Sequence, residues 1–191
     1  MLYRTLMFMS RAACHTPRPI LLALGWVLGN LYYLIIAKMR RRAIAHMMPA
    51  LGINEAAAKK LVRASFINMA RNFLDILAMP MLNERNFRDY IEIDHLERMQ
   101  EALAEGHGVV VLTGHIGCWE WLSAAFTLNG IPVSAIAKPQ PNIQYTRVLD
   151  DLRATIHVEI FSRGTSELIA AARALKRGKL LGFLADQDGG P

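Results

Sequence analysis

Residues 113–121, TGHIGCWEW, gather the side chains best suited to chemistry: His115, Cys118 and Glu120. A histidine beside a carboxylate is an arrangement for general-base catalysis. The carboxylate fixes one ring nitrogen as a donor and stabilises the imidazolium, leaving the other nitrogen to take a proton. On an uninterrupted helix, five residues put two side chains about 140° out of phase. Glu120 therefore reaches His115 only across a turn, which Gly117 permits. Cys118 with His115 is a second possibility, a thiol nucleophile and its base. Trp119 beside the thiol favours a small apolar filler instead. His115, Cys118 and Glu120 also have the donor types of a metal site, but no second ligand cluster follows in the sequence, so no metal is expected. A serine-hydrolase elbow, a P-loop and a dinucleotide fingerprint are absent.

Later residues supply groups that suit an anionic substrate. Lys138 follows a predicted strand. Arg163 follows another, in IFSRG, where Gly164 and a helix start near Thr165 make a turn with a guanidinium suited to phosphate. Arg147 and Arg153 lie on one predicted helix and read as surface charges. Asp186, Gln187 and Asp188 end a further strand, where they could orient a substrate, bind a cation or cap a turn.

These residues need a scaffold, and its pattern is legible. Asn54 is a candidate helix cap. Val62, Phe66, Met69, Phe73, Ile76 and Leu77 then mark one apolar helical face, ended by Pro80. Leu96, Met99 and Leu103 suggest a short helix closed by Gly106 and Gly108. Short apolar runs over 109–112, 133–137, 158–161 and 180–185 read as strands. Helical segments over 119–130, 142–154 and 165–177 separate them. Alternation of this kind predicts an α/β domain with a largely parallel sheet flanked by helices. His115 then sits just past a strand's C-terminal end, where ligands gather in open α/β sheets.

The 191 residues are 53% hydrophobic, 20% charged and 8% aromatic. That composition suits one folded domain and excludes a disordered chain. Two cysteines exclude a disulfide framework. The net charge of +6 is localised. Residues 1–54 hold seven bases (Arg4, Arg11, Arg18, Lys38, Arg40, Arg41 and Arg42) and no acid. The rest holds 15 bases against all 16 acids, a net of −1. A nucleic-acid binder would spread basic charge over its folded domain. Here the charge flanks residues 20–37, eighteen positions without an ionisable group, and the mean hydropathy of the chain is +0.21. As a helix this run reaches about 27 Å, close to a hydrocarbon core. The expectation is an N-terminal membrane helix over 1–42, with basic flanks drawn to anionic lipid, and a catalytic domain over 43–191. A cleaved signal peptide fits less well, because AKMRRR follows the run. A helix lying in the interface stays open.

GHIGCWEW, with His115 and Glu120, resembles the H-x4-D/E motif of glycerolipid and lipid A acyltransferases. RASFINMARNFLDIL over 63–77, IFSRG and LKRGKLLGFLADQDGGP extend the resemblance to the bacterial lipid A biosynthesis acyltransferases along nearly the whole chain. The resemblance implies an inner-membrane enzyme with a single N-terminal pass and a cytoplasmic catalytic domain. It implies transfer of a fatty acyl chain from acyl carrier protein or coenzyme A, as co-substrate without a further cofactor, to a hydroxyl of a lipid A precursor. His115 would be the base and Glu120 its orienting partner. Arg163 would contact acceptor phosphate, with Lys138, Gln187 and Asp188 as further substrate-binding residues. Alternatives are a related acceptor such as mannosylated phosphatidylinositol, or a membrane protein without turnover. Family members continue beyond the DQD block, so the resemblance also implies a chain truncated at its C-terminus, with exposed apolar surface.

Overall fold

The computed structural model describes residues 1–162 and 165–187. The described residues divide into two compact units. One comprises 1–14 with the chain from 76 onward, and the other comprises 15–75. The expected anchor segment, 1–42, is thus shared between the two.

The first unit is α/β. Strands β1 (Val109–Thr113), β2 (Val133–Ala137), β3 (Glu159–Ser162) and β4 (Leu180–Leu184) form one parallel sheet in the order β1-β4-β2-β3. The elements are those expected from the apolar runs and their glycine punctuation, with ends shifted by three residues at most. Register sets Val111 against Gly182, Gly182 against Ala135 and Ala135 against Ile160. Because side chains alternate across a strand, this row shares one face of the sheet. Leu181 and Phe161, in the rows on either side, face the other way, onto Ala171 and Ala174 of a helix over Thr165–Lys176.

Helix α1 (Leu2–Cys14) packs into this unit through Leu6, Ser10 and Ala13, which are spaced for one helical face. Further along, α5 (Leu96–Ala104) places Leu96, Met99 and Leu103 against a core of Phe126, Ile131, Val133 and Leu180. The α5 side chains are partly buried there, so each contributes less than the roughly 1.5–3 kcal/mol of a fully buried one. Helix α6 (Trp119–Thr127) follows β1, and α7 (Ile143–Ala154) follows β2. The Asn142 side chain caps α7 by accepting from the Gln144 N–H at 2.9 Å. On the opposite face of β1, Val110 and Leu112 are exposed.

The second unit is helical. It contains α2 (Arg18–Ile35), α3 (Ala37–Leu51) and most of α4 (Glu55–Ala78). Asn54 accepts from the Ala57 N–H at 2.9 Å, as its place before α4 suggests. Val62 and Phe66 are core residues, packed with Ile44 and Ala58. Met69 and Phe73, expected on the same buried face, are exposed. The reason is the contact that α4 makes with α2. There Ile67 and Arg71, not 69 and 73, lie against the glycines of α2. Among the described residues, α2 is the one helix long and apolar enough to cross a membrane by length and composition.

Candidate active site

His115 lies two residues beyond β1, and Asp186 two residues beyond β4. The β1–β4 ladder brings them together. Thr113 pairs with Leu184, and the Ala185 N–H donates to the Thr113 carbonyl at 3.0 Å. Asp186 then grips His115 twice. Its Oδ2 accepts the His115 backbone N–H at 2.7 Å, and its Oδ1 lies 2.8 Å from Nδ1. These bonds hold the Asp186 carboxyl below the usual carboxylate range, first through the imidazole and then through the backbone N–H. Gly114 is required for the approach: a Cβ there would stand 2.9 Å from Oδ2. With Asp186 ionised, Nδ1 carries the proton and donates it, so the Nε2 lone pair is left for another partner. The edge of Trp119 meets the imidazole at a centroid distance of 4.6 Å and an angle of 68°, limiting ring rotation from a second side.

Glu120 takes a different place from the expected one. Gly117 does make a turn, with φ +61°. The carboxylate, however, does not return to the imidazole. It is buried in the first turn of α6 and receives both Nε and NH2 of Arg153, at 2.9 and 2.6 Å. The expectation that Arg153 is a surface charge is likewise corrected, because its side chain is only 14% exposed. Burial opposes the charge on Arg153, but the bonds to Glu120 outweigh it and raise its pKa. The physical reason is charge matching. A buried carboxylate needs a partner that fills both oxygens, and a planar guanidinium does this better than one imidazole nitrogen. The signal in the sequence was slight. Arg153 directly follows Leu152 on a helix whose buried residues are Val148 and Leu152.

His115, Glu120, Arg153, Lys138 and Gln187 all line one cavity of about 1310 Å³. Its mouth is polar. Its floor is the sheet row Val111, Gly182, Ala135 and Ile160, and its far end is Phe126, Val133, Val158 and Leu180. A polar opening leading over small residues to an apolar end suits a ligand with a reactive polar group and a long apolar part. Lys138 and Gln187 are exposed at the strand ends. Arg163 and Asp188 lie outside the described residues. Arg147 stacks on the Tyr3 ring at 4.6 Å, away from this constellation. Among the described residues, no group of three His, Cys, Asp or Glu side chains is placed to hold a metal ion. Cys118, half-buried, occupies the N-cap position of α6.

The model of the bacterial lipid A biosynthesis acyltransferases matches residues 3–191. The chain belongs to that family. It is accordingly an acyltransferase of the lipid A type, and its resemblance to those enzymes, first visible in GHIGCWEW and DQDGGP, extends through both units. A comparison with curated proteins found no match. Acyl transfer gives the cavity of the acyltransferase a chemical sense. A histidine stands at the mouth, and an apolar end lined by Phe126, Val133, Val158 and Leu180 lies beyond it.

Proposed function

We propose that this acyltransferase moves a fatty acyl group from a thioester of acyl carrier protein or coenzyme A to a hydroxyl of a lipid A precursor. His115 acts as general base. The observation that carries this reading is the two-point grip of Asp186 on His115 at the cavity mouth. The acceptor hydroxyl gives its proton to Nε2 as its oxygen attacks the thioester carbonyl. The tetrahedral intermediate collapses with cleavage of the carbon–sulfur bond. The departing thiolate then takes the proton from the imidazolium, which restores the neutral ring. Asp186 stabilises the transient imidazolium and keeps Nε2 aimed outward, the part first expected of Glu120. The Glu120–Arg153 pair keeps its own role in the cavity wall, fixing α6 to α7. Lys138 and Gln187, together with Arg163 and Asp188, supply charge and hydrogen bonds for the phosphorylated acceptor. The reaction is assigned to the cytoplasmic face of the inner membrane, where acyl thioesters are made.

The test is acyl transfer by membranes containing the full chain, using labelled acyl carrier protein thioester and a lipid A precursor. His115→Ala and Asp186→Asn are each expected to lower turnover by about 10²-fold or more at unchanged protein level, the usual worth of a positioned base. Unchanged turnover in His115→Ala would remove the base mechanism. Turnover only with another glycolipid would keep the mechanism and replace the acceptor.

A further inference from the structure

Helix α1 and the chain from residue 76 belong to one compact unit, although residues 15–75 separate them in sequence. Their packing is specific. The buried Ser10 hydroxyl donates to the Leu77 carbonyl at 2.7 Å. Tyr3 donates its hydroxyl to Asp151 at 2.6 Å and its backbone N–H to Gln144 at 3.0 Å, both on α7. The two ends of the 15–75 segment therefore lie on one side of any membrane, and the segment between them can cross only an even number of times.

Among the described residues no second helix is long and apolar enough to cross. α3 has 15 residues and carries Lys38, Arg40, Arg41 and Arg42. α4, up to residue 75, carries Glu55, Lys59, Lys60, Arg63, Arg71 and Asp75. Ionisable groups spread along a helix are costly inside hydrocarbon. α4 is also bound along the length of α2. Arg18 and Asp75 form a two-point ion pair, the Arg71 Nε–H donates to the Leu22 carbonyl at 3.3 Å, and the Arg63 Nε–H donates to Asn30 at 2.6 Å. Gly25 and Gly29 make this contact possible by letting α2 approach the α4 backbone. One side of α2 thus faces a charged helix, while Ile20, Leu24, Val27, Leu31, Leu34 and Ile35 remain exposed.

We infer that α2 does not cross the bilayer but lies in its surface, with its exposed apolar side set into one leaflet of an anionic membrane. The occupant follows from charge as well as from apolarity, since residues 1–54 carry seven bases and no acid. Apolar insertion combined with basic residues at the headgroups is how interfacial helices hold to anionic lipid.

The test is sidedness. In the full chain with Cys14→Ser and Cys118→Ser, single reporters Thr5→Cys, Arg42→Cys and Gln100→Cys are treated with a membrane-impermeant maleimide. Intact spheroplasts are compared with inverted inner-membrane vesicles. All three reporters are expected to react in the inverted vesicles and none in the spheroplasts. Reaction of Arg42→Cys on the side opposite Thr5→Cys would mean that α2 spans, and would overturn the inference. Opposite sides for Thr5→Cys and Gln100→Cys would overturn the shared unit on which it rests.

Discussion

Asp186 holds His115 by its backbone as well as by its ring, so loss of the carboxylate should free the loop and the imidazole together. The His115 bonds lower the folded-state pKa of Asp186. A carboxyl lowered on folding contributes stability that is present above its unfolded pKa and lost as pH falls through the lower folded value. Carbon-detected NMR titration should therefore find Asp186 titrating below the usual carboxylate range, and His115→Ala should move it upward. The buried Glu120–Arg153 pair behaves differently. Glu120→Gln leaves a guanidinium buried without its counter-charge, and about 3–5 kcal/mol of stability should be lost in denaturant unfolding. Glu120→Leu combined with Arg153→Met removes both charges and should recover most of that loss.

At the scale of elements, the crossing of α2 and α4 makes the sharpest prediction. A Cβ at Gly29 would collide with the Ile67 backbone and come within 2.8 Å of the Phe66 carbonyl. Gly29→Val should cost about 1–3 kcal/mol as the helices are pushed apart, read as a lower Tm in detergent. The same crossing decides burial that no local pattern carries. The apolar run of α2, the strands and the cap at Asn54 are local signals, and each is visible in a short window. Met69 and Phe73 fit the same period as Val62 and Phe66, yet they are exposed, because close approach of two backbones, and not apolarity, chose the buried face. The site divides in the same way. His115 at a strand end could be read from the chain. Its partner could not, because Asp186 is 71 residues away and sheet order alone makes them neighbours. Nearness in sequence points to Glu120, while its bond to Arg153 depends on how α6 and α7 pack.

For the whole molecule, charge and apolar surface separate along the chain, and their contributions to membrane attachment can be separated too. Binding of the full chain to phosphatidylethanolamine vesicles should strengthen when phosphatidylglycerol is added. Salt should reverse that gain, since the screening length falls from about 10 Å at 0.1 M to about 3 Å at 1 M. Binding through the apolar side of α2 should persist at high salt, read by vesicle co-sedimentation. The order of the sheet has a consequence for the newborn enzyme. Among the described strands, β1, which leads into His115, pairs with β4 alone. β4 is also the strand that joins β1 to β2, and it is synthesised after both. A nascent chain can therefore complete the whole 15–75 helical unit, and reach a lipid surface with it, while its histidine is still unheld. Helical packing can precede the setting of the histidine, which is held only when β4 has slid between β1 and β2.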